Sequence, residues 1–225
     1  MQLKIDLHVH SNYSYDSLIT PQDVLFYSQQ KELAGVAITD HDRIDGAIKI
    51  AKTLNIPVIS GIEITSRDGH ITGLNLQETI PPKLSAEETV DRIHEAGGLA
   101  VACHPSAFFK GSLSKEHVTS KFDAVEVINA SSFLFNHFTS RNKQIASYLG
   151  IAQVAGSDAH YGPEIGCAYT LVNAEPNVDA IVKAIKKGLC QPSGTAIPLT
   201  MRLKKIVLVF EYQYLKQKGE RGRRG

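Results

Sequence analysis

The chain has 225 residues, 43% of them hydrophobic and 21% charged, with 17 Gly and 9 Pro, proportions that exclude a fibrous, collagenous or wholly disordered protein. Twenty-four Lys and Arg stand against 23 Asp and Glu, a formal net charge of +1, so no whole-protein field speaks for a nucleic-acid coat or a membrane surface. Cys103, Cys167 and Cys190 lack CxxC spacing and make neither a disulfide framework nor a thiolate zinc site, while two histidines precede any apolar signal region; a reducing, cytoplasmic setting without membrane contact is the expectation.

Seven short β-branched or apolar runs follow one another: Leu3 to Leu7, Val36 to Thr39, Val58 to Ile62, Ile71 to Leu76, Leu99 to Ala102, Val125 to Ile128 and Ile151 to Ala155. Helix signals lie between them, among them Thr20 before Pro21 and the Ser85/Glu88 pair of a capping box. Repeated βα units of this length predict a parallel sheet, and seven of them a closed or nearly closed barrel. The barrel is assigned to residues 1–195. Residues 196–225 are assigned to a separate C-terminal segment, because Met201 to Gly225 carries eight Lys or Arg against two acids, +6 against −5 on the first 200 residues. Leu203, Ile206, Phe210 and Tyr214 fall at helical spacing, which predicts an amphipathic helix over Met201 to Lys218 before an Arg/Gly-rich end. The β-branched stretch Ile206 to Val209 leaves a strand reading open. A basic tail of this kind also admits a nucleic-acid partner.

In a barrel of this kind chemistry collects where the strands end, and the residues there are consistent. The first strand leads through His8 and His10, the second to Asp40-His41-Asp42, the third to Glu63, the fifth to His104 and the seventh to Asp158 and His160, with His70 at the start of the fourth run. Residues two apart on a strand share a face, so His8 with His10 and Asp158 with His160 form side-by-side ligand pairs. With Asp16 this makes six histidines and three carboxylates, which would desolvate one another at a cost of several kcal/mol each without metal and are favourable around divalent cations. Cys103 is expected to face away from His104 and pack, Asp42 to cap a helix, and His94, His117 and His137 to lie at the surface.

DLHVHS, ITDHD, GIEIT, CHP and GSDAH come in the order that identifies the chain as resembling the polymerase and histidinol phosphatase (PHP) superfamily. The resemblance implies a distorted seven-unit (β/α)7 barrel of the α/β class, holding two to three divalent ions (Zn, Mn or Fe) and hydrolysing phosphate esters. It implies His8, His10, Glu63 and Asp158 around a first ion, Glu63, His70 and His104 around a second, and Asp16, His41 and His160 around a third. GHITGLNL, EVINASS and SRN are most similar to small stand-alone members acting on phosphomonoesters or short nucleotides, and the stretch from Leu76 to Gly98 is too short for the helical insertion of some relatives.

The chemistry of the residues agrees. Three divalent ions against three carboxylates leave about three positive charges facing a phosphate dianion. A water held between two ions beneath Glu63, its pKa lowered toward about 7, is suited to in-line attack on phosphorus. Glu63, Asp158 and His10 are the expected catalytic set, and Arg43 and Arg141 are the expected phosphate-binding residues. The expected substrate is a small phosphorylated metabolite or a short oligonucleotide, and the oligomeric state is left open. Two other classes compete: a two-metal amidohydrolase, which has no use for Asp16, His41 and His160 together, and a non-catalytic module binding RNA or a protein partner, which would have lost ligands.

Overall fold

The computed structural model describes residues 1–105 and 111–209. Its strands are β1 (Gln2–Val9), β2 (Gly35–Ile38), β3 (Val58–Ser66), β4 (Gly69–Leu74), β5 (Leu99–Ala102), β6 (Ala124–Asn129), β7 (Ala152–Gly156), β8 (Ala168–Asn173) and β9 (Cys190–Gly194). Its helices are α1 (Pro21–Gln30), α2 (Asp45–Thr53), α3 (Ala86–Glu95), α4 (Phe135–Leu149), α5 (Val178–Lys186) and α6 (199–209). Local chemistry sets the helix starts. Thr20 and Asp23 satisfy each other's orphan donors before α1, and Ser85 and Glu88 do so before α3. Gly150, at φ 67°, ends α4 in the left-handed turn that a side chain resists. α2 starts without a side-chain cap: Asp42 instead adopts φ 53° and accepts the Thr65 amide at 2.7 Å, so the expected cap is corrected.

The strands form one sheet in the order β7-β6-β5-β4-β3-β2-β1-β8-β9. The fold is a mixed α/β, distorted and nearly closed barrel, as the runs and the resemblance predict, but the expectation of uniformly parallel pairing is corrected. β3 turns straight back into β4 as an antiparallel hairpin with Ser66 opposite Gly69, and β4 is antiparallel to β5. β8 and β9 add two further antiparallel strands beside β1. β9 carries Pro192 at the sheet's edge, where a missing amide costs no ladder bond. Closure comes from β1 meeting the end of β7: the Asp158 amide donates to the His8 carbonyl at 2.8 Å and the His10 amide to the Ala159 carbonyl at 3.0 Å. Lower down, Thr170 Oγ1 on β8 exchanges hydrogen bonds with both backbone groups of Ala155 on β7.

One apolar cluster packs α1 to α4 on the outer face of the sheet, through Val24, Ile50, Ile93 and Ala146 against Val36, Ile38, Ile62 and Val125. The other fills the inside from Leu3, Ile5, Leu7, Ile59 and Val101, against Ile181 and Ile185 of α5. A bulge in β1 between Asp6 and Val9 sets the site. Leu7 belongs to the inner cluster and Val9 to the outer, so the extra residue turns His8 and His10 inward, above the apolar layer. β6 has a matching irregularity between Glu126 and Ile128, which leaves Glu126 and Asn129 on the inside.

Residues 199–209 are helical, which removes the strand reading of Ile206 to Val209; Phe210, Tyr214 and the Arg/Gly-rich end lie outside the described residues. No helix among the described residues is long and apolar enough to cross a membrane.

Candidate metal centre at the mouth of the barrel

Glu63, at 1% exposure, is the hub. Its Oε1 lies 2.8 Å from both His70 Nδ1 and His104 Nε2. Its Oε2 lies 3.1 Å from His10 Nε2, 3.3 Å from His8 Nε2 and 3.5 Å from His41 Nδ1. Asp158 Oδ1 stands 3.5 Å from His10 Nε2 and 3.6 Å from His160 Nδ1, and Asp16 Oδ2 joins His160 Nε2 at 3.0 Å and His41 Nε2 at 3.3 Å. All nine residues singled out as metal ligands therefore meet in one cluster. Antiparallel β4 explains His70: the start of β4 lies beside the end of β3, so a residue at the beginning of a strand reaches the same rim as those at the ends of the others. A cavity of 290 Å³ opens onto the cluster, lined by Tyr15, Asp16, His41, Glu63, His70, His104, Asp158 and His160.

Several partners were not anticipated. Glu126 lies 3.0 Å from His8 Nδ1 and accepts the His104 amide at 2.8 Å. Asn129 Nδ2 donates to Glu126 at 3.0 Å and to Asp158 at 3.3 Å. Tyr15, 85% exposed, stacks on His41 at a centroid distance of 5.2 Å. Cys103 does not face away: its Sγ lies 3.7 Å from Glu63 Oε1, because β5 ends at Ala102 and His104 takes φ 31°, which breaks the alternation assumed for a strand. Asp158, at φ 54°, is left-handed too, as is Asp42 beside His41, and such positions gather at functional sites. The two arginines are set apart from the histidine pocket. Arg43 spends its fork on both Asp45 oxygens, at 2.8 and 2.9 Å, and on the Tyr13 carbonyl. Arg141 lines a separate groove along α4 with Lys115, His137 and Tyr148. His117 and His137 are exposed, as expected, while His94 is half-buried against Asp123 at 2.8 Å.

The donor set fits divalent metal. Five imidazole nitrogens lie within 3.5 Å of one carboxylate, which has only about four lone-pair sites. Protonating all five would pack five cations into one pocket. Four sets of donors close to within 4.8 Å among the described residues: His10/Asp16/His41/His160, His8/His10/Glu63, His41/Glu63/His70 and Glu63/Cys103/His104. Burial opposes charge throughout, yet the histidines around Glu63, His8 first, hold it well below the usual carboxylate range. Against the same penalty, Glu126 and Glu63 hold His8 well above the usual imidazole range. Asp158 and Glu63 lift His10 to about 9. His160 moves the other way, lowered by burial and by His10.

A pH dependence follows for metal-free protein. His10 binds its proton more tightly folded, at about 9, than at the ordinary value of 6.5. Its contribution is therefore fully present below about 6.5 and lost as the pH rises through 9, on the order of 3 kcal/mol in all. Thermal melts in excess chelator should fall across that window; a flat or rising melting temperature there would contradict the ion-pair reading of His10. With metal present the trend should reverse, since protons compete for the same nitrogens.

Known proteins resemble the chain in sequence and in fold. A family model described as PHP-associated matches residues 137–190. Two uncharacterised proteins of Methanocaldococcus jannaschii are similar over long stretches: one is 39% identical over 57% of this chain and 82% of its own length, the other 33% identical over 74% and 69%. Among solved structures, a two-domain protein of Bacteroides vulgatus containing a predicted PHP-like metal-dependent phosphoesterase superposes with a TM-score of 0.71 at 20% identity, over 87% of this chain and 65% of that one. The chain belongs to the PHP family. A further relative is the 3',5'-nucleoside bisphosphate phosphatase of Chromobacterium violaceum, 31% identical over 48% of this chain and 42% of that protein. An amidohydrolase structure from the same organism, with bound sulfate and no metal, superposes with a TM-score of 0.61 at 21% identity, over 72% of this chain and 89% of that one; at that identity it speaks for the fold alone.

Proposed function

We propose that this PHP-family chain is a metal-dependent phosphoesterase that hydrolyses a small phosphomonoester or the end of a short nucleotide. The single observation that carries the reading is Glu63, a buried carboxylate shared by five imidazoles whose free nitrogens converge on it. His8, His10, Glu63 and Asp158 would hold a first ion, Glu63, His70 and His104 a second, and Asp16, His41 and His160 a third, with His10 and Cys103 near enough to assist. Such ions, when bound, supply Lewis acidity to a phosphoryl oxygen and lower the pKa of a nearby water toward about 7. The chain's own residues aim the ligands. His8 Nδ1–H donates to Glu126, which leaves Nε2 pointing at Glu63, and His160 Nδ1–H donates to the Asp158 carbonyl at 3.0 Å, which leaves its Nε2 pointing at Asp16.

A cavity of 290 Å³ admits a phosphate and its neighbouring group, not a folded polymer. The relative named as a nucleoside bisphosphate phosphatase supports a substrate of that size. The amidohydrolase reading is disfavoured by the Asp16, His41 and His160 corner, which a two-metal site leaves without work. The non-catalytic reading is disfavoured by the presence of all nine donors. Elemental analysis after incubation with Mn, Zn or Fe(II) should find two to three ions per chain. A screen of phosphomonoesters, nucleoside bisphosphates and short oligonucleotides should give metal-dependent release of phosphate or nucleotide. Uptake of none or one ion, or amide hydrolysis without phosphoesterase activity, would overturn the proposal.

A further inference from the structure

The segment expected to be a separate basic tail grips two loops at the rim, the one that carries Asp158 and His160 and the one that follows Asn129. Glu164 is completely buried, and Lys205 of α6 meets it at 2.8 Å from Oε1 and 3.1 Å from Oε2. The same Oε2 accepts the amides of His160 and Tyr161, at 3.0 and 3.1 Å. One turn earlier, the Arg202 guanidinium donates to the carbonyls of Ser131 at 2.9 Å, Ala130 at 3.1 Å, Ser132 at 3.3 Å and Ile197 at 3.1 Å, and lies over the Phe133 ring at 5.3 Å. That loop follows Asn129, whose side chain donates to Asp158.

From these contacts we infer that α6 is a clasp on the mouth of the barrel, in which Lys205 and Arg202 are positioning residues for the corner built by Asp16, His41 and His160. The inference rests on the proposed metal site. Physically, an unpaired buried carboxylate at position 164 would draw water or move, and the two amides it holds are those of His160 itself and its neighbour. Lys205 fixes Glu164, Glu164 fixes the backbone of the loop, and the loop fixes the direction of the His160 ring. Arg202 acts in parallel, holding the carbonyls of Ala130, Ser131 and Ser132 in the loop after Asn129 together with that of Ile197.

The test uses the full chain, stripped of metal and titrated with Mn(II) while free ion is followed by its electron paramagnetic resonance, alongside amide hydrogen exchange. In Lys205→Met the most weakly held ion should bind about 10- to 100-fold less tightly, with the tighter ions unchanged, as removal of a residue behind a ligand typically does. The His160 and Tyr161 amides should exchange faster, and Lys205→Arg should recover both properties. Folded Lys205→Met with unaltered binding and exchange would overturn the clasp, and so would equal loosening of every ion, which marks general destabilisation. Should Lys205→Met not fold, the double variant Lys205→Met with Glu164→Gln removes the unpaired buried charge without restoring the anchor. Its weakest ion should still be loose, and wild-type binding there would overturn the inference. The two readings fail differently. A wild-type chain that takes up only two ions removes the third-ion role of the corner, and exchange at His160 and Tyr161 alone then decides the clasp.

Discussion

Glu63→Gln should bind at least two fewer divalent ions per chain than the wild type and lose phosphoesterase turnover by about a thousandfold or more, the scale set by several kcal/mol of Lewis-acid stabilisation at about 1.4 kcal/mol per tenfold. The amide keeps the size of the carboxylate but not its charge, and one of its two heads becomes a donor. Both oxygens are in use: Oε1 faces His70 and His104, and Oε2 faces His8, His10 and His41. Whichever way the amide turns, its NH2 group points at imidazole nitrogens that should be binding metal. Folding should survive without metal, because the layer beneath is apolar and the neutral amide costs less to bury than the carboxylate. Metal content by elemental analysis and turnover at saturating Mn or Zn are the measurements. A variant that keeps two or three ions would remove Glu63 from its shared position, and full turnover with reduced metal would remove the metals from the reaction.

The rim was legible because it is made of residue types that rarely sit together: the six histidines converge with Asp16, Glu63 and Asp158, while Asp40 and Asp42 bond to Ser11 and to the Thr65 amide. Less legible were features that depend on pairing and backbone direction. Asp68-Gly69, after a β-branched run, is a turn signal that marks the β3–β4 hairpin, and it accounts for His70 standing at a strand start. Glu126 is a charge inside the otherwise apolar run AVEVI, buried at 2% exposure, and a buried charge must be paired; it is the acid that orients His8. Cys103 could not be placed by alternation, because that rule assumes a continuing strand and His104 leaves it. The role of α6 had no local sign at all, since Lys205 meets Glu164 across 41 residues and Arg202 meets the 130–132 loop across some 70. Net charge marked the segment as basic and said nothing of the two cations that are spent on the barrel.

Gly156→Ala should destabilise the fold by about 2 to 3 kcal/mol, the range of an overpacked core, and weaken the first metal site with it. Gly156 ends β7 where that strand closes on β1. A Cβ there would lie 2.3 Å from the Cβ of His8, 2.9 Å from its backbone nitrogen and 2.8 Å from Glu126 Oε1. Two of the three are atoms of the neighbouring strand's main chain or first carbon, which cannot rotate away, so β7 and β1 must separate. His8 lies on one of those strands, and Asp158, whose amide donates to the His8 carbonyl, follows the other. Separation therefore widens the gap between two residues proposed to share an ion. For a chain of this length the loss corresponds to a fall in melting temperature of roughly 4 to 12 °C, at about 2 to 4 °C per kcal/mol. Gly188→Ala is the control: its φ of 68° makes a side chain unfavourable, but the added carbon meets nothing within 4 Å, so it should cost about 1 kcal/mol and leave metal uptake unchanged. Wild-type stability in Gly156→Ala would mean that β7 does not close on β1 as described, and equal loss of metal in both variants would detach the binding defect from the closure of the barrel.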